Sequence, residues 1–224
     1  MRKTVSALLM VLVLSLAGCV RGSVVVPDSP TVSERIQNIY NSSVSITDGI
    51  GKVHGSGVIL QNRAGQKMVV ITAAHVVTSM QKSQTLIRIS LAYESGWKPM
   101  IVKKLDEITD LALLESVEEL KIGGPQVSLA AKPPKIGDPL TVIGAPLGDE
   151  RTVTEGILSG IEKHGNGVFY RVSAAVFFGN SGGGAFNRNG ELVGVAHAIQ
   201  MLGGFIVVPG AAFFVNLDAI KAFM

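Results

Sequence analysis

Three side chains in this 224-residue chain have the types and the order to support acyl transfer: His75, Asp110 and Ser181. Ser181 stands in Gly179-Asn180-Ser181-Gly182-Gly183-Gly184. Glycines on both sides let the backbone turn tightly and leave its amides bare, the setting that an acyl-accepting hydroxyl requires. A serine hydroxyl is a poor nucleophile until an imidazole takes its proton, and a buried carboxylate holds that imidazole in the right tautomer. His75 closes the run Val70-Ile71-Thr72-Ala73-Ala74-His75, where an apolar strand gives way to a turn or helix. Asp110 stands just before Leu111-Ala112-Leu113-Leu114. Singly, each has an ordinary explanation as a Gly/Asn turn, a satisfied histidine or a strand-capping acid. What marks them as a set is the order His, Asp, Ser, each at the edge of an apolar strand.

The elements that must position them read as β. With 47% hydrophobic and 17% charged residues, the chain can bury one substantial core or two small ones, and it lacks a disorder signature. From about Ser33 the pattern is a short helix, Glu34 to Tyr40, then short β-type runs at 44–46, 57–60, 68–72, 85–90, 100–104 and 111–114. Gly123-Gly124-Pro125 and Lys132-Pro133-Pro134 interrupt them. A second series follows at 139–144, 152–159, 169–172, 190–197 and 205–208, then a terminal helix near Leu217 to Met224. Two sets of about six strands with a Pro/Gly-rich join predict an all-β protein. The expected form is two packed antiparallel six-stranded β-barrels, about 38–120 and about 128–215, with a short C-terminal helix. The net charge is +3, of which Arg2 and Lys3 supply two units, and no Lys/Arg stripe runs along the chain; a nucleic-acid partner is not expected.

The N-terminus reads as a targeting segment. Arg2 and Lys3 precede the apolar stretch Val5 to Leu16, too short to span a bilayer, and Leu16-Ala17-Gly18-Cys19 resembles a bacterial lipobox. That resemblance implies a lipoprotein signal peptide over 1–18 and fatty acylation of Cys19. It further implies a lipidated tether over 19–33, a protease-type domain over 34–224, and anchoring to a bacterial membrane on its periplasmic or extracytoplasmic face. Cys19 is the single cysteine, so no intrachain disulfide is expected.

The blocks Thr72-Ala73-Ala74-His75, Asp110-Leu111-Ala112-Leu113-Leu114 and Gly179-Asn180-Ser181-Gly182-Gly183 resemble the signatures of trypsin-like serine proteases with the chymotrypsin-like fold. Gly55-Ser56-Gly57-Val58-Ile59, Ile143-Gly144-Ala145-Pro146-Leu147-Gly148, the run 152–159 and Gly190-Glu191-Leu192-Val193-Gly194-Val195 are similar to the HtrA/Deg branch. The resemblance implies that Ser181 is the acylated nucleophile, His75 the general base and Asp110 its orienter. Gly179, Asn180 and Ser181 would form the oxyanion hole, with the Gly179 and Ser181 amides as donors. The strand at Ala196, His197 and Ala198 would pair with an unfolded or extended peptide. In this family the residue six before the nucleophile lies at the base of the primary pocket; here it is Ala175, with Val176 beside it. No acid stands there, so small or medium apolar side chains are the expected preference.

His197 is expected as a solvent-facing strand residue, and His54 and His164 have no partner legible in the sequence. No Cys/His/Asp spacing supports a metal site, and no cofactor is expected. Phe177-Phe178 and Gly184 depart from the HtrA pattern, and two rings beside the oxyanion loop either pack it in place or hold it inactive. The chain after Ser181 has room for the end of a barrel and one helix, so no PDZ module is expected; oligomeric state stays open. Two other readings remain. Gly-x-Ser-x-Gly also fits the nucleophile elbow of α/β-hydrolases, which would make an esterase. That fold needs the order Ser, acid, His, whereas Asp218 is the only Asp after Ser181 and no His follows it. The other is a lipid-anchored binding or chaperone module with a silent site.

Overall fold

The computed structural model describes residues 31–146, 150–165, 167–204 and 206–224. The leader, Cys19, most of the tether, Leu147-Gly148 and Phe205 lie outside the described residues. Helix α1 (Val32–Asn41) starts inside the stretch read as tether. Its start is fixed by a capping box: the Thr31 hydroxyl accepts from the Glu34 amide while the Glu34 carboxylate accepts from the Thr31 amide.

Strands β1 (Ser43–Thr47), β2 (Val53–Gln61), β3 (Lys67–Thr72), β4 (Ile87–Ser90), β5 (Trp97–Asp106) and β6 (Leu111–Glu119) close an antiparallel barrel. Helix α2 (Ala74–Lys82) is set between β3 and β4. A second closed barrel follows, of β7 (Pro139–Gly144), β8 (Thr152–His164), β9 (Gly167–Val172), β10 (Gly184–Phe186), β11 (Leu192–Leu202) and β12 (Ile206–Asn216). Helix α3 (Leu217–Phe223) ends the chain, its Asn216 side chain accepting from the Ala219 amide. The expected pair of six-stranded barrels is therefore present, with three helices. Closure pairs every barrel edge with a neighbour.

One strand is missing from the sequence reading, and several strands run on past the ends read from sequence, β2, β6, β8 and β12 among them. Three-residue β10 carries no alternation, so pattern alone does not find it. Pro209-Gly210 reads as a stop, but Gly210 takes φ +71° and β12 runs on to Asn216. Among the described residues no helix is long and apolar enough to cross a membrane.

The cores explain why several strands read as unbroken apolar runs. Ile59, Val70 and Leu114 point into the first barrel, whereas their neighbours Val58, Ile71 and Leu113 point outward. Outward here means toward the second barrel: Val58, Ile71 and Leu111 pack with Ile143, Phe186, Val195 and Val215 in a shared layer. Both faces of these strands are buried, so period-2 alternation of polarity disappears. Phe186 is fully buried in that layer and Phe214 in the second barrel, each contributing roughly 1.5–3 kcal/mol.

Candidate active site

The first turn of α2 has no capping side chain of its own, because Ala73 occupies the cap position. Asp110 supplies one from the start of β6. Its Oδ1 accepts from the His75 amide at 2.9 Å and its carbonyl from the Ala74 amide at 3.1 Å. Its Oδ2 lies 2.8 Å from His75 Nδ1. The carboxylate thus sits at the positive end of the helix and orients His75 by backbone and ring together. Asp110 adopts φ +58°, a left-handed conformation that Asp tolerates better than most residues. Its side chain is 10% exposed and that of His75 47%. Burial pushes the Asp110 carboxyl up, but hydrogen bonds from His197 and His75, with the His75 charge, overcome it and hold it down to about 2.

His197 is the correction to the sequence reading. It does not simply face solvent: its Nδ1 lies 2.5 Å from the same Asp110 Oδ2, and its ring stacks on Phe169 with centroids 4.8 Å apart. An ionised carboxylate only accepts, so both imidazoles donate through Nδ1, and in a neutral ring Nε2 is then left as an acceptor. The donor atoms of His75, Asp110 and His197 all lie within 4.8 Å of one another, a potential cation set that residue spacing does not reveal. His54 pairs with Asp48 at 3.0 Å and His164 with Glu162 at 3.2 Å.

The Ser181 loop is held from the first barrel by Ser56 on β2. The Ser56 amide donates to the Ser181 carbonyl at 2.8 Å, and its hydroxyl donates to the Gly179 carbonyl at 2.8 Å. The same hydroxyl accepts from the Ala145 amide at 2.9 Å, and the Ser56 carbonyl accepts from Thr72 Oγ1 at 2.7 Å. Ser56 is fully buried. Sequence reasoning gave it no role; the available signal was a polar residue inside an apolar, glycine-flanked strand.

Phe177 to Asn180 form a turn closed by the Asn180 amide on the Phe177 carbonyl at 3.1 Å, with Gly179 at φ +97° in its third position. This is type II geometry, which needs a positive φ there. Of the three residues expected at the oxyanion hole, Asn180 therefore has its N–H already used. Among the described residues no acceptor takes the Gly179 or Ser181 N–H. Gly182 has φ +81°, and a Cβ there would meet Thr72 Oγ1 and the Ser56 carbonyl. Ser181 is half-buried, and among the described residues no hydrogen bond joins its hydroxyl to His75.

The Ala196 amide donates to the Gly183 carbonyl and its carbonyl accepts from the Gly182 amide, both at 2.8 Å. Its backbone is thus committed to the serine loop, leaving His197 and Ala198 beyond it. Ala175 is exposed, with its carbonyl accepting from Thr154 Oγ1, whereas Val176 is buried in the second barrel. Phe177 and Phe178 are 50% and 56% exposed.

Known proteins are similar to this chain in sequence. The profile of the trypsin-like peptidase domain matches residues 55–195. A probable periplasmic serine endoprotease DegP-like protein of Buchnera aphidicola subsp. Baizongia pistaciae (strain Bp) is 31% identical over 211 residues, covering 86% of this chain and 42% of that protein. The mitochondrial serine protease HTRA2 of Drosophila pseudoobscura pseudoobscura is 27% identical over 181 residues, covering 76% of this chain and 38% of its own length. The chain spans about two-fifths of these relatives.

Proposed function

Because the chain belongs to the trypsin-like peptidase family, we propose that it is a serine endopeptidase of the HtrA type, with Ser181 as nucleophile, His75 as general base and Asp110 as orienter. The observation that carries this is Asp110 grasping both the ring and the backbone of His75, beside a serine loop whose Gly179 and Ser181 amides meet no acceptor among the described residues. In the reaction, His75 Nε2 takes the Ser181 proton as Oγ attacks the scissile carbonyl. The Gly179 and Ser181 N–H groups receive the oxyanion, each worth roughly 3 kcal/mol in comparable enzymes. His75 then protonates the leaving amine, and water hydrolyses the acyl-enzyme by the same route.

Substrates are extended or unfolded segments laid along β11 beyond Ala196, with their backbone pairing near His197 and Ala198. The residue ahead of the cut bond is small or medium and apolar, because Ala175 offers no charge. The domain spans 34–224, tethered through acylated Cys19 on the extracytoplasmic face of a bacterial membrane. The lipobox-like tetrapeptide supports the anchor, and the periplasmic DegP-like relative supports the location.

The test is labelling of the protein and its Ser181→Ala variant with a fluorophosphonate probe, alongside digestion of unfolded casein. Labelling and cleavage that both disappear in the variant are expected. Labelling with ester hydrolysis but intact casein would replace the reading with an esterase, and absence of labelling would leave a silent binding module. Mapping the cut bonds checks the pocket: a dominant Arg, Lys or Glu preference overturns the assignment of Ala175.

A further inference from the structure

One carboxylate oxygen shared by two imidazoles is more than an oriented base requires. A hydroxyl or an amide would satisfy Asp110 Oδ2 equally well. An imidazole instead adds a second nitrogen ligand, and two His with one Asp are a donor set suited to zinc-class divalent ions. We propose that His75 Nδ1, His197 Nδ1 and Asp110 Oδ2 form a three-ligand site for Zn²⁺, and that filling it switches the peptidase off.

The geometry is close to what the ion needs. Zinc takes N and O ligands at roughly 2.0–2.2 Å, which places tetrahedral ligands about 3.4 Å from one another. Here the two N to O separations are 2.8 and 2.5 Å, and all three atoms lie within 4.8 Å. Opening the hydrogen-bonded pairs by less than about 1 Å while drawing the histidines together admits the ion. The required freedom is present on the His75 side, which is 47% exposed, while His197 at 33% exposure is steadied by its stack on Phe169. Asp110 is held by its Oδ1 and carbonyl bonds to α2, so Oδ2 alone serves as ligand.

The consequence for chemistry follows from the tautomer. Zinc displaces the Nδ1 protons of both rings, and a neutral His75 then carries its proton on Nε2. In that form Nε2 donates and cannot accept the Ser181 proton. Bound zinc also takes the Asp110 oxygen away from orienting the base.

Binding is measured by calorimetry with ZnCl₂ on the full chain carrying Ser181→Ala, which removes self-digestion. One ion per chain is expected, weakened at least about tenfold by either His197→Gln or His75→Gln, a difference of about 1.4 kcal/mol. Circular dichroism and melting confirm that each variant is folded, and the exposed His75 serves as the second variant should the half-buried His197 fail. No stoichiometric zinc at millimolar concentration, or binding indifferent to both substitutions, overturns the site. The switch rests on the peptidase reading above and is tested apart from it. In protein with intact Ser181, casein cleavage should fall with the midpoint of zinc binding and return on chelation. Zinc bound through both histidines with cleavage unchanged would overturn the switch. A protein that binds zinc in this way but never cleaves casein, with or without chelator, refutes the peptidase reading and the switch while the site itself stands.

Discussion

Ser56→Ala is the substitution that most directly tests how the fold builds the site. The Ser56 hydroxyl donates to the Gly179 carbonyl and accepts from the Ala145 amide, and the residue is fully buried. Alanine leaves both backbone groups without this partner, the Ala145 amide fully buried and the Gly179 carbonyl half-buried. An unsatisfied buried polar group costs about 1–3 kcal/mol, so the pair predicts a loss of about 3 kcal/mol. In a chain of this size that lowers Tm by roughly 6–12 °C. The catalytic effect is separate. The Gly179 carbonyl belongs to the residue whose amide is proposed to receive the oxyanion, and freeing it lets the type II turn rock. A complete loss of one oxyanion donor costs about 10²–10³ in kcat, so a partial loss should give roughly ten- to hundredfold. KM should change little, because the charge that the amide meets exists only in the transition state. The assay is a melting curve together with steady-state cleavage of a peptide substrate well below Tm. A variant that melts lower yet retains kcat within about twofold would refute the claim that Ser56 sets the oxyanion turn.

Asp110→Asn should lower kcat by about 10³–10⁴, since the carboxylate no longer fixes the His75 tautomer. Because the folded Asp110 carboxyl is held down to about 2 from an ordinary 3.8, its ionisation contributes about 2 kcal/mol of stability above pH 4, lost as pH falls through 2. Urea unfolding of the two proteins should therefore diverge as pH rises from 2 to 4; a stability difference that stays constant over that range contradicts this. Gly182→Ala should cost at least about 3 kcal/mol, from a strained φ and a Cβ against Thr72 Oγ1 and the Ser56 carbonyl, and thermal melting reads it. Cys19→Ser should move the protein from the membrane pellet to the soluble fraction in a bacterial host; retention in the pellet contradicts acylation.

The two-barrel fold was legible because strand-forming runs and their turn punctuation are local properties. Where the reading slipped, local rules gave way to tertiary pairing. Gly184 to Phe186 is a strand only because β7 and β11 flank it, and Pro209-Gly210 is passed through because β11 pairs with Val207 before it and Ala212 after it. Expected site residues behaved likewise. Ala196 looked like free strand backbone until Gly182 and Gly183 were seen to use it.

The sequence by itself determined the order His75, Asp110, Ser181, the glycines that free the serine loop, and the absence of a charge beside Ala175, because residue type and spacing carry them. Only the tertiary structure decided that Ser56, far upstream, pins the loop, and that His197 shares the Asp110 oxygen with His75. Those contacts join residues separated by 123 and 87 positions. No periodicity encodes such pairs; they exist because two closed barrels pack face to face and bring α2, β2, β11 and the serine loop to one seam.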